Sequence, residues 1–320
     1  MLETFKKGAT GTRKKVEPKE EVNKFNAVSK KTNIFINILF FTLAALCVIP
    51  FIFVIIISLT SEQALQANGY RFWPEEWSFE AYKYILTSGT GILRSYGITI
   101  FVTITGTIVG LVIMSTYGYA ISRKSFAYRK FFTKLIFIPM LFSGGMVASY
   151  LVVTKFLGLK NTIWALILPI AVSSFHIIIL RTFFKTTVPD AIIESAKIDG
   201  ASEWRLFLKI VLPISLPGIA TIGLFLTLGY WNDWFNAMLY IDKASLIPLQ
   251  YMLIKIENSI EFITSNAASL GTDAIQAAAN MPQDTARMAI VVLTTLPIIF
   301  AYPFFQRYFV NGLTIGAVKE

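Results

Sequence analysis

Long apolar runs, separated by short basic or mixed-charge segments, organise this chain. A helix needs about 20 apolar residues to cross a bilayer. Six stretches qualify, at approximately 34–59, 96–120, 131–153, 161–180, 214–236 and 287–305. The first, Ile34 to Leu59, holds no charged residue. The second carries Gly106 and Gly110, a small-xxx-small spacing that lets helices approach closely. Pro139, Gly144 and Gly145 predict a kink or an interruption in the third. The fifth opens around Pro213 and Pro217, and the sixth contains Pro297. The pattern predicts an all-α integral membrane protein with six transmembrane helices.

The polar segments orient the spans. Basic residues crowd the first thirty positions (Lys6, Lys7, Arg13, Lys14, Lys15, Lys19, Lys24, Lys30, Lys31). They recur after the second span (Arg123, Lys124, Arg129, Lys130, Lys134) and after the fourth (Arg181, Lys185, Lys197, Arg205, Lys209). By the positive-inside rule these segments are cytoplasmic, and six spans then place both termini in the cytoplasm. Residues 1–31 read as a basic cytoplasmic tail, because the apolar stretch after them is too long for a signal-peptide core. Residues 32–95 read as the first transmembrane helix and an extracytoplasmic loop. A membrane-spanning core fills 96–310, with a cytoplasmic loop at 186–213, and 311–320 is a cytoplasmic C-terminal tail. Within 237–286, Leu253, Ile256, Ile260 and Ile263 recur at three- and four-residue spacing, as on one face of a helix. A lid over the helix ends and a docking surface both fit that segment.

Composition supports the membrane class. The chain is 55% hydrophobic and 15% charged, against roughly 45–50% and about 25% in soluble domains. The net charge of +10 sits beside the apolar runs, where it orients spans and meets membrane lipid; no nucleic-acid partner is implied. The single cysteine, Cys47, excludes an intrachain disulfide and a cysteine-based metal site. The lone histidine, His176, lies in an apolar run, either as a packed imidazole or as a functional intramembrane group. No metal site is expected.

The loop between the fourth and fifth spans is the informative segment. Asp190 and Glu194 complement the positive end of a helix that Pro189 opens. Gly200 can end that helix in the left-handed conformation, and Ser202 can cap a second helix with Glu203 inside it. The result is a sharp corner with little side-chain bulk at Ala196, Gly200 and Ala201, suited to insertion into a cleft. Here the chain resembles the permease subunits of binding-protein-dependent ABC importers. Their loop reads E-A-A-x2-D-G-A-x5-F-x2-I-x-L-P. Glu194, Ala196, Asp199, Gly200, Ala201, Phe207, Ile210, Leu212 and Pro213 match, and Ser195 stands for the first alanine. The resemblance implies a type I importer permease fold in the bacterial cytoplasmic membrane. It makes this loop a coupling helix seated in an ATPase subunit, with Glu194 contacting the ATPase and Asp199 and Gly200 shaping the turn. It also implies a homologous second permease, two ATPase subunits and an extracytoplasmic substrate-binding lipoprotein.

The fifth span ends Tyr230-Trp231-Asn232-Asp233-Trp234. This stretch is similar to one in oligosaccharide permeases of the maltose and lipoprotein/polysaccharide types. Rings that stack on sugar faces, with amide and carboxylate groups that bond hydroxyls, suit a sugar path. An interfacial aromatic belt fits the same residues. The chain carries no phosphate loop, no H-E-x-x-H pair and no nucleophile elbow. A non-catalytic permease without its own cofactor follows, with ATP and Mg on the partner ATPase. An ion-driven secondary transporter would place ionisable groups at the midplane, where the spans offer His176, with Asp233 near an end. A membrane enzyme, or an importer permease for amino acids, peptides or phosphate, is the remaining alternative.

Overall fold

A computed structural model describes residues 29–88, 91–270 and 281–317. Most of the tail read at 1–31, part of the Gly271–Gln283 stretch and the last three residues lie outside the described residues. The chain divides into two compact units, 1–52 and 53–320. Apart from Ser29, the described part of the first unit belongs to helix α1 (Lys30–Ser58), whose last residues fall in the second. Phe35, Ile38 and Phe41 are exposed on α1. An apolar helix with no buried stripe is built for lipid or for another membrane helix.

In the second unit, α2 (Glu62–Asn68) and α3 (Glu80–Ser88) precede α4 (Ile92–Ser122). Most of the inward stripe of α4 is small or polar: Thr99, Thr103, Gly106, Gly110, Ser115, Gly118 and Ser122 are buried beside a few larger residues such as Val102, Met114 and Tyr119. Ile100, Ile104, Ile108 and Val112 face outward. That inversion of the soluble pattern is how membrane helices approach closely, since lipid offers no hydrophobic incentive to bury large side chains. The ring of Tyr230 occupies the space that a Cβ at Gly106 would need.

Three spans are bent pairs. They are α5 (Arg129–Leu141) with α6 (Gly145–Phe156), bent by 118°; α7 (Trp164–Ala171) with α8 (Ser174–Thr187), by 52°; and α10 (Glu203–Ile214) with α11 (Leu216–Trp231), by 81°. The first break falls beside Pro139, Gly144 and Gly145, as the sequence predicts. Among the described residues, taking each pair as one span gives six, with α1, α4 and the last helix α14 (Gln283–Ala317). Between α8 and α10 lies α9 (Asp190–Ile198). After α11 come α12 (Phe235–Tyr240) and α13 (Leu249–Leu270).

The main core joins α4, α7, α8, α10 and α11 through Met114, Leu166, Leu180, Phe184, Leu206 and Ile222. A second cluster joins α3, α13 and α14. There Leu253, Ile256 and Ile260 are buried against Ile85, Ala286 and Ala289. The amphipathic stripe of α13 is thus spent on packing within the chain. α14 runs to Ala317, well past the apolar run that ends near 305 and through the start of the segment read as a tail.

Candidate functional site

Three physical devices fix the corner between α8 and α10. Pro189, with φ −59° and ψ 139°, precedes α9 rather than entering its first turn. At the other end Gly200 has φ +78°, a conformation that side-chain-bearing residues adopt at a cost. There Ala201 N donates to Ala196 O (2.9 Å) and Gly200 N to Lys197 O (3.0 Å). This is the paired closure of a glycine-terminated helix. Ser202 then starts α10, its hydroxyl accepting from Arg205 N at 3.4 Å.

Ion pairs and one tyrosine tie the corner to α4. Lys197 Nζ lies 2.6 Å from Glu203 Oε1 across the turn. The other carboxylate oxygen, Oε2, accepts from Tyr119 Oη at 2.9 Å. Arg123, 7% exposed, donates to Ser122 Oγ and to Phe184 O, at 3.1 and 3.3 Å. Its guanidinium stands 5.3 Å from the centre of the Tyr119 ring and 4.0 Å from Asp190 Oδ1. Lys124 Nζ donates to Asp190 Oδ2 at 2.9 Å. That bond and charge hold the Asp190 carboxyl below its ordinary value. Tyr119 was not singled out in the sequence, Arg123 entered only as an orienting charge and Glu203 only as a residue inside the capped helix; their contacts span 61 to 84 residues of chain, and no local pattern signals them.

Among the described residues, none covers the outer face of the corner. Ile193 is buried beneath α9, while Glu194, Ser195 and Asp199 are exposed. Ser195 Oγ donates back to Ala191 O at 2.9 Å. Ile198 is 87% exposed and Trp204 66%. A small-residue corner presents two large apolar side chains and two carboxylates outward.

The structure divides the aromatic group at the end of α11. Tyr230 and Trp231 are buried. Tyr230 Oη donates to Ile167 O (2.7 Å) and Trp231 Nε1 to Thr294 O (2.9 Å). Their polar ends are therefore engaged by backbone carbonyls of α7 and α14. Asn232 and Trp234 are exposed. Asn232 Oδ1 accepts from Gln250 Nε2 at 3.3 Å. Asp233 accepts from both the backbone and side-chain amides of Asn236, at 3.1–3.2 Å. His176 stacks on Phe225, with ring centroids 5.7 Å apart.

No family model matches the chain. The protein LplC of Bacillus subtilis (strain 168) is 41% identical over 284 residues, 88% of this chain and 93% of that protein. The polygalacturonan/rhamnogalacturonan transport system permease protein YtcP of the same organism is 39% identical over 276 residues, 86% of this chain and 94% of that protein. Among solved structures, a bacterial ABC transporter involved in the import of the acidic polysaccharide alginate superposes with a TM-score of 0.72 at 28% identity. That match covers 88% of this chain and 99% of the other.

Proposed function

The chain belongs to the ABC-transporter sugar permeases, and from that membership we propose that it carries a sugar or oligosaccharide across the bacterial cytoplasmic membrane, driven by ATP hydrolysed on separate subunits. The permease pairs with a homologous second permease. Two ATPase subunits bind from the cytoplasm and hold the ATP and Mg, and a lipoprotein delivers the sugar from outside. Both termini lie in the cytoplasm, on the side of the 186–213 loop and its basic residues.

One observation supports this reading most: the outward face of the α9–α10 corner. Ile198 stands almost fully exposed beside the Glu194 carboxylate, on a corner anchored to α4 by Glu203 and Tyr119. A large apolar side chain held rigidly outside the core is what a partner's pocket accepts. In the proposed mechanism, closure of the ATPase dimer pushes Glu194–Ala201, and the anchored corner passes that movement to α4 and α8 as a rigid-body rotation. Asn232 and Trp234, exposed at the far end of α11, face the sugar. Tyr230, Trp231 and Asp233 hold that end in place from within.

The test is uptake in cells carrying Glu194→Lys or Gly200→Asp. Both variants insert in the membrane and retain the second permease, and both lose ATP-driven uptake. Ordinary uptake in both overturns the coupling assignment. Purification in mild detergent recovers a P-loop ATPase with the wild-type chain and much less of it with Glu194→Lys.

A further inference from the structure

A recess of ≈ 330 Å³ opens between the break in the third span and the short helix that follows the fifth. Its size falls within the about 300–1,000 Å³ range of ligand sites. Ser143, Met146, Ser149, Phe235, Asn236 and Tyr240 are among its lining residues, and none of its lining among the described residues carries a charge. It sits at the end of α11 away from the α9–α10 corner, about 24 Å along a 16-residue helix.

The hydrogen bonds inside the chain leave the polar walls half used. Ser143 Oγ accepts from Gly145 N at 3.2 Å, so its own proton remains free to donate. Ser149 Oγ donates to Gly145 O at 3.0 Å, so its lone pairs remain free to accept. The Asn236 amide nitrogen lies 3.1 Å from both oxygens of Asp233. A carboxylate only accepts, so the nitrogen must point at it, and the Asn236 carbonyl oxygen points elsewhere. Asp233 therefore acts as a positioning residue for Asn236. One free donor, two free acceptors and a half-exposed ring at Phe235 are a matching set for a sugar, whose hydroxyls donate and accept and whose C–H face stacks on aromatics.

We propose that this recess is a subsite for an uncharged sugar ring, with Asn236 and Ser149 as specificity-determining residues. The assignment rests on the sugar-permease reading above and adds to it the charge class of the ring held here. A uronate carboxylate in the recess would find no Lys or Arg among its walls, and it would stand close to the Asp233 carboxylate behind Asn236.

The test uses the intact importer, with its second permease, ATPase and binding protein, in proteoliposomes. Neutral trisaccharides (arabinotriose, maltotriose and cellotriose) and trigalacturonate serve as probes. Wild type is expected to take up at least one neutral trisaccharide, and Asn236→Leu to take it up about tenfold less, the equivalent of one hydrogen bond. Because a leucine there could disturb the fold, a second measurement follows thiol modification of Ser149→Cys in a Cys47→Ser background. A transported neutral sugar slows the modification and trigalacturonate does not. Unchanged uptake in Asn236→Leu, or no protection of Ser149→Cys by a transported sugar, overturns the recess. Equal protection by trigalacturonate overturns the charge assignment. Uptake of none of the probes by wild type overturns the sugar reading itself, and the recess with it.

Discussion

Pro297 has no N–H, so the helix α14 loses the bond that would satisfy Leu293 O. Tyr96 Oη supplies it instead, at 2.9 Å, and the next carbonyl, Thr294 O, takes the Trp231 indole N–H. In lipid an orphan carbonyl has no water to turn to, so α4 provides the missing donor, and α11 adds a bond to the carbonyl next to it. Such interhelical bonds average about 0.6 kcal/mol and reach about 1.7. Trp231→Phe is therefore predicted to lower the thermal unfolding midpoint of the detergent-solubilised protein by a small but measurable amount, and Asn232→Ala to leave it unchanged. Equal midpoints for wild type and Trp231→Phe would show the bond to be dispensable. The aromatic cluster was conspicuous in the sequence, but its division of labour was not. α11 is apolar on every side, so no periodicity reveals which of Tyr230, Trp231 and, just beyond the helix, Trp234 turns inward.

At the scale of elements, the six apolar runs were legible from length alone, because crossing lipid imposes a minimum that few other structures meet. The α9–α10 corner was legible too, since Gly200 and Ser202 announce their conformations locally. The break between α7 and α8 was not. Pro169 lies inside a continuous apolar run, and the bend comes at Val172 and Ser173, where Ser173 N meets Met114 Sδ at 3.3 Å. What stiffens the corner was equally hidden, and it can be measured. Tyr119→Phe removes one donor to Glu203, worth about 1 kcal/mol. Amides between 190 and 206 are then predicted to exchange about fivefold faster, with those of α4 unaffected. The Asp190 contribution has a definite sign. Its native carboxyl titrates below the unfolded value because Lys124 favours the charged form. Its stabilisation is therefore complete above about pH 4 and fades as pH falls through the lowered native value. Pepsin should cut the 186–213 loop faster as the medium becomes more acid, and Asp190→Asn should flatten that dependence.

Across the whole second unit, contacts distant in sequence close what the spans leave open. Glu62, 7% exposed on α2, accepts from Thr285 N, Thr285 Oγ and Asp284 N, at 3.0, 2.7 and 3.2 Å. These donors belong to the first turn of α14, where helical N–H groups have no partner within the helix and a negative charge meets the positive end of the dipole. One carboxylate thus pins the segment after α1 to the start of α14, 222 residues later. That helix carries Pro297 and the bonds from Tyr96 and Trp231, so α2, α4 and α11 all hold it. Releasing one hold should loosen the end it grips and spare the others. Glu62→Ala is predicted to cost about 1–2 kcal/mol, the range for loss of a side-chain cap. The loss should appear as a lower unfolding midpoint and faster proteolysis between residues 59 and 79. Exchange of the 190–206 amides should stay at the wild-type rate, because the Glu203 and Asp190 anchors do not involve α2 or α14. Faster exchange at the corner in Glu62→Ala would mean that the two ends of the bundle are coupled through α14, and that the corner does not draw its stiffness from α4 and α8 alone.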